Sequence, residues 1–262
     1  MVREVDIIRV EVSTGKTEKK ADFIAEETPL HLFVNNKFWA TILSSPTDQK
    51  ELAVGHLLSE GILKSIQEIQ EIELKPKEKT CNVTIKPDID LDLRVKLSRL
   101  HNRVIPSVCG SPAPYQYVGK VPRIDSELRV SAQVIFEGVN ALNFKAAGFR
   151  LTGGLHVAAV YRADGTLVAL AEDVGRHNAA DKAIGMAALK ETPLDECFFA
   201  SSGRLSGDMT YKAAKVGIPI IASIAAALSS GLDAAEKTNV TLVGFVRGKR
   251  LNIYSAPQRI IV

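Results

Sequence analysis

The sequence predicts an α/β protein in two unequal parts, a small α+β unit followed by a layered α/β unit. Three observations carry this reading. After about residue 127, short apolar strand patterns alternate with helical ones, the pattern of a layered domain with a partly parallel sheet. Before about residue 97 the order reads strand, strand, helix, strand, strand, which fits a small roll of the β-grasp kind. Between them Pro, Gly and Ser crowd a long connecting stretch. The expected parts are residues 1–104, a mobile loop at 105–126, and residues 127–262. At 262 residues and 46% hydrophobic, the chain is long enough for one large domain or two modest ones, each with a core.

Each element has a local reason. Leu30-His-Leu-Phe-Val34 and Phe38-Trp-Ala-Thr-Ile42 flank Asn35-Asn36-Lys37, and asparagine tolerates the left-handed angles of a hairpin turn. Thr47 and Asp48 open a helix, with Glu51 placed for a capping box if Asp48 is the cap. Leu52, His56 and Leu57 lie near one face of it, and Gly61 stops it. Strands follow near Ile69 to Leu74 and Cys81 to Lys86. Leu128, Ala132, Ile135, Val139 and Leu142 recur at helical spacing, with Ser126 as candidate cap. Strands Leu155 to Tyr161 and Leu167 to Glu172 turn at Asp164-Gly165, and a helix runs from about His177 to Lys190. Strand Cys197 to Ser201, helix Asp208 to Val216, strand Ile218 to Ser223 and a helix near Leu232 to Lys237 come next. Strands Val240 to Val246 and Leu251 to Ser255 close the chain.

Composition excludes several classes. A net charge of +3 argues against wholesale nucleic-acid or membrane binding. Cys81, Cys109 and Cys197 are odd in number and widely spaced, so neither a disulfide framework nor a metal knuckle is indicated. Charge interrupts the first residues throughout, leaving no signal core, and the longest apolar stretch, Ile218 to Leu228, is too short to span a membrane. The expectation is a reduced, cytoplasmic protein.

Four stretches hold candidate chemistry. Cys109, in Arg103-Val-Ile-Pro-Ser-Val-Cys-Gly-Ser-Pro-Ala-Pro-Tyr115, is flanked by prolines and glycine, which places the thiol on a loop where it can meet a second protein. Cys81 and Cys197 sit in apolar strand patterns and read as core thiols. Glu172-Asp-Val-Gly-Arg-His-Asn178 links a strand to a helix with acid, base and imidazole together. Ser201-Ser-Gly-Arg-Leu-Ser206 precedes the next helix as a plausible phosphate cradle, through Ser202, Gly203 and Arg204. Phe245-Val-Arg-Gly-Lys-Arg250 gathers Arg247, Lys249 and Arg250 around Gly248, a pattern suited to pyrophosphate. Taken singly, these loops also read as a helix cap, a capped turn and a hairpin tip. Three of them at strand ends of one domain point to a shared anionic pocket. Thr152-Gly-Gly-Leu-His156 adds a histidine whose double glycine implies close backbone approach.

At these residues the chain resembles the formate dehydrogenase accessory sulfurtransferases, the FdhD family. Glu172-Asp-Val-Gly-Arg-His-Asn-Ala-Ala-Asp-Lys182 carries the resemblance. Thr152 to His156, Ser202 to Ser206, Leu242 to Gly248, Asn252 to Ile260 and Glu51 to Ile62 support it, over about residues 25 to 260. It implies a cytidine deaminase-like three-layer C-terminal domain and a homodimer. It also implies a sulfur carrier that takes persulfide sulfur from a cysteine desulfurase and passes it to the molybdenum of bis(molybdopterin guanine dinucleotide). That cofactor is cargo for formate dehydrogenase, with no intrinsic metal in the carrier.

By position, Cys109 would bear the persulfide, and Phe245, Val246, Arg247, Gly248, Lys249 and Arg250 would bind the cofactor. Ser202, Gly203 and Arg204 would hold phosphates, His177 and Asp173 would help position cofactor or loop, and Arg103 and Lys120 would favour the thiolate. Two departures stand out. Pro112 replaces the second thiol of the Cys-x-x-Cys pair found in many relatives, and Ala225-Ala-Ala-Leu-Ser229 replaces a more polar turn. One sulfur suffices for persulfide transfer, yet a non-catalytic cofactor chaperone stays open as the alternative. A deaminase-like hydrolase is disfavoured, because the zinc signature of such enzymes is missing.

Overall fold

In the computed structural model the described residues are 1–98, 104–105 and 122–262. Cys109, Pro112, Arg103, Lys120 and most of the expected connecting loop lie outside them.

The chain begins with a ribbon the sequence reading did not anticipate. Strands β1 (Val2–Glu11) and β2 (Lys16–Ala25) pair with each other and, among the described residues, join no other sheet. Arg3, Glu4, Asp6 and Arg9 break the apolar alternation that would have signalled a strand. The hairpin of β3 (Thr28–Val34) and β4 (Lys37–Ser44) forms where expected, with Asn35 and Asn36 at φ 50° and 62°. Helix α1 (Gln49–Ser59) follows, then β5 (Ile69–Lys75), β6 (Thr80–Ile85), α2 (Leu91–Ser98) and β7 (Val104–Ile105). The sheet order is β5-β6-β3-β4-β7, with β3 parallel to β6. Leu52, Leu57 and Leu58 of α1 close over Leu30, Leu32, Ile42, Val83 and Ile85. The predicted capping box is absent: Asp48 is left-handed (φ 54°) and its side chain makes no cap bond. A cap needs extended backbone to turn its oxygen back toward the helix.

Strand β8 (Val130–Ser131) leads into α3 (Ala132–Lys145) and α4 (Ala147–Thr152). The cap of α3 is Ser131, whose Oγ accepts the Gln133 amide at 3.1 Å, rather than Ser126. Residues 130–131 pair instead with β15 (Ile260–Ile261) as extended chain, which delays the helix. Ile124 lies in the stretch assigned to the loop, yet its amide donates to the Thr238 carbonyl at 2.7 Å and the residue is buried.

The remaining elements are β9 (His156–Arg162), β10 (Leu167–Asp173), α5 (Arg176–Leu189), β11 (Cys197–Ser201), α6 (Gly207–Lys215), β12 (Ile220–Ser223), α7 (Ser229–Thr238), β13 (Thr241–Arg247) and β14 (Arg250–Ile253). The six strands β9 to β14 form one sheet in the order β10-β9-β11-β12-β13-β14. β11, β12 and β13 are parallel, while β9 runs against both β10 and β11. It follows that β10, β11, β12 and β13 all end on one edge. Ala179, Ala183, Met209 and Ala235 of α5, α6 and α7 cover one face, and Ile135, Val139 and Leu142 of α3 cover the other.

The smaller sheet is held to this body by α1 crossing α5. Gly55 faces the Asp181 carbonyl and Gly185 faces the Glu51 carbonyl, so closely that neither position has room for a Cβ. Beside the crossing, Lys212 Nζ donates to Glu60 Oε1 at 2.8 Å, Asp181 at 3.0 Å and Ser59 Oγ at 2.8 Å. His56 Nδ1 lies 3.3 Å from Asp181 Oδ2. A second tie joins Lys182 Nζ to Asp173 Oδ2 at 2.7 Å and to the Ser45 carbonyl at 3.1 Å.

Candidate functional site at the carboxyl edge of the large sheet

The ends of β10 to β13 bring the predicted loops onto one edge, the usual ligand position in α/β sheets. Backbone bonds weld the central loops together. Leu205 N donates to the Ala226 carbonyl at 3.0 Å, Leu228 N to Leu205 at 2.9 Å, and Phe245 N to Ala225 at 2.9 Å. The Ser223 hydroxyl lies 2.9 Å from the Ser201 carbonyl and 2.6 Å from that of Gly203. Gly244 eases this seating, because a Cβ there would stand 3.3 Å from the Ala227 nitrogen and 3.4 Å from the Ala225 carbonyl.

At one end of the edge, the 202–204 turn meets the start of α5. The Arg176 side chain lies against Gly203, where an added Cβ would stand 2.9 Å from Arg176 Cβ. Ser202 Oγ accepts the Val157 amide at 3.0 Å and lies 3.3 Å from His156 Nδ1. His177 Nε2 pairs with Asp208 Oδ2 at the start of α6. Burial pushes the Asp208 carboxyl up, but bonding and charge from His177, the Ser206 hydroxyl and Arg176 hold it well below the usual range. Burial, then Arg176 and His177, push the His156 imidazole below its ordinary value, while Asp173 opposes them. Asp173 itself is fully buried and accepts from the Ser45 and Gly175 amides and from Asn178, so it organises the loop from inside.

At the other end stands the 245–250 hairpin, two strands from β11 and so about 10 Å away. Phe245 has φ 52°, a left-handed backbone rare for an aromatic, at a register irregularity between Gly244 and Arg247. The Arg247 guanidinium lies 4.9 Å over the Phe245 ring. Arg247, Gly248, Lys249 and Arg250 are exposed, whereas Val246 is wholly buried in the core beneath α3. Val246 therefore offers a ligand only its backbone.

The structure thus divides the described candidates into two groups. Ser202, Gly203 and His177 sit with Arg176, and Phe245 to Arg250 form a separate basic tip, bridged by residues 223–228. Arg204 is exposed. Sequence reasoning gave no role to Arg176 or Asp208, and left His156 as an unexplained histidine after a double glycine. Among the described residues, no three His, Cys, Asp or Glu side chains gather as a metal site, and no helix is long and apolar enough to cross a membrane.

Fold and edge together define an α/β protein whose large sheet ends in glycine-containing loops and an exposed basic tip. Comparison with known proteins narrows the class. The FdhD/NarQ family profile matches residues 25–261. The sulfur carrier protein FdhD of Methanothermobacter thermautotrophicus is 39% identical over 100% of this chain and 99% of its own. That of Saccharolobus solfataricus is 35% identical over 99% of this chain and 98% of its own. A crystal structure of a proposed formate dehydrogenase accessory protein from Desulfotalea psychrophila aligns with TM-score 0.80 at 26% identity, covering 99% of both chains. The chain belongs to the FdhD/NarQ family.

Proposed function

We propose that this protein is a sulfur carrier required for formate dehydrogenase activity. Cys109 takes persulfide sulfur from a cysteine desulfurase and passes it to the molybdenum bis(molybdopterin guanine dinucleotide) cofactor, which the carrier binds as cargo. The observation that supports this best is the end-to-end similarity to relatives named sulfur carrier protein FdhD. In the loading step the Cys109 thiolate attacks the outer sulfur of the desulfurase persulfide. A new S–S bond forms on Cys109 and the desulfurase thiolate leaves, so atoms and charge balance. Cys81 and Cys197 are unsuited to this role, since burial pushes their thiols up to about 12 and about 11.

Arg247, Lys249 and Arg250 hold cofactor phosphates, Phe245 and the backbone of Val246 and Gly248 line the same tip, and Ser202, Gly203, Arg204 and His177 receive the cofactor at the other end of the edge. We read the smaller sheet as a β-grasp-like roll and the larger unit as cytidine deaminase-like. The working form is a cytoplasmic homodimer. Pro112, in place of a resolving thiol, favours one other reading, a chaperone that delivers the cofactor without carrying sulfur.

Intact mass after incubation with desulfurase and cysteine separates the two. A gain of one sulfur, about 32 Da, in wild type and none in Cys109→Ala supports the carrier. Formate dehydrogenase maturation that survives Cys109→Ala overturns it.

A further inference from the structure

We propose that His156 is a ligand-contacting residue of this edge, fixed by Ser202 so that its Nε2–H donates to a phosphate oxygen beside Arg176. The inference rests on the cofactor-phosphate reading above and adds a residue and a role to it.

His156 is the first residue of β9, the strand that enters the sheet at this edge between the ends of β10 and β11. Val157 packs into the core under α3 and Ala158 into the core under α5. By strand alternation His156 therefore faces the side of α5 and α6, where Arg176, His177 and Asp173 act on it electrostatically. It is partly buried rather than enclosed.

In this reading Ser202 donates to His156 Nδ1 and the ring proton sits on Nε2. Ser202 Oγ accepts the Val157 N–H at 3.0 Å, which leaves its own hydroxyl proton to donate. His156 Nδ1 lies within reach of that proton, at 3.3 Å. An Nδ1 that accepts is unprotonated, so the neutral ring carries its proton on Nε2. Burial, Arg176 and His177 all favour that neutral ring. The edge thus offers an uncharged N–H donor next to a guanidinium and the Gly203 turn. A donor without charge lets Arg176 supply the cation for a phosphate without adding like-charge repulsion in the unliganded protein.

The bland alternative is a histidine kept only for its bond to Ser202. Two amide substitutions separate the readings, because asparagine places its N–H near the Nδ1 position and glutamine near Nε2. Guanosine diphosphate, a fragment of the cofactor's dinucleotide arm, is the calorimetric probe. If His156 contacts the phosphate, His156→Gln stays within about threefold of wild type, while His156→Asn and His156→Ala each lose about tenfold or more. Equal affinity in all variants, or rescue by Asn but not Gln, overturns the proposal and leaves cofactor binding standing. Failure of wild type to bind the probe overturns the parent reading and this one together. Nitrogen NMR of labelled histidine in the ligand-free protein tests the tautomer separately. Protonated Nε2 with bare Nδ1 is expected for His156 at neutral pH, and protonated Nδ1 overturns the proposal.

Discussion

Cys81 and Cys197 show how far burial alone can silence a thiol. Both are fully buried in strands, β6 and β11, and desolvation of the thiolate pushes them up to about 12 and about 11 against the weaker pull of Lys50 and Arg162. A raised thiol stays protonated through the neutral range, so neither is a nucleophile there. Native protein treated with iodoacetamide at neutral pH should therefore carry label on Cys109 alone, and all three cysteines should react after denaturation. Peptide mapping checks this, and native labelling of Cys197 would contradict the burial argument. The burial of Cys81 and Cys197 was legible in the sequence, since apolar alternation flanks both. The roles of Arg176, Asp208 and His156 were not. Each depends on a neighbour from another strand or helix, and single residues carry no trace of that.

At the level of elements, the α1–α5 crossing depends on two glycines. In an isolated helix Gly→Ala would favour the fold by about 1 kcal/mol. Here a methyl group at position 55 would overlap the Asp181 carbonyl, and one at 185 would overlap that of Glu51. The backbones must then part, and overpacking of this kind costs about 1–3 kcal/mol. Gly55→Ala and Gly185→Ala are each expected to lower stability in urea by about 1 kcal/mol net, and by up to about 2 kcal/mol where the backbones part most. The double variant should lose less than the two losses added, since the first parting makes room for the second. The hairpin at Asn35-Asn36 was readable because left-handed turn angles select asparagine locally. The capping box at Asp48 and the cap at Ser126 were misplaced, because pairing of β8 with β15 and the left-handed turn at Asp48 override local preference.

Across the whole molecule, a buried charge cluster ties the small sheet to the large one. Burial pushes Glu60 and Asp181 up, but Lys212, joined by Lys215 at Glu60 and by His56 at both, outweighs it. Glu60 falls to about 2 from 4.5, and Asp181 falls well below its ordinary range. A carboxylate lowered in the folded state adds stability above its unfolded pKa and loses it as pH falls through the folded one. The melting temperature should therefore drop steeply between about pH 4.5 and 2. Lys212→Met leaves two buried carboxylates without their main cation and should cost about 3–5 kcal/mol at neutral pH. That deficit should shrink on acidification, because unpaired buried carboxyls gain by taking up protons. Calorimetric melts of both proteins across pH decide it. A deficit that is flat with pH would mean Lys212 acts through packing instead.

By itself, the sequence determined the alternation of strands and helices, the hairpin turn, the core thiols and the loops that carry glycine, hydroxyl and cation together. Periodicity and turn chemistry are local properties, readable within a few residues. Tertiary structure alone decided which loops meet. Ser202 reaches His156 across 46 positions and Lys212 reaches Ser59 across 153. It also decided that His156 stands beside Ser202 and why two glycines occupy a helix crossing. Those outcomes rest on contacts between segments far apart in the chain, and only the folded backbone supplies them.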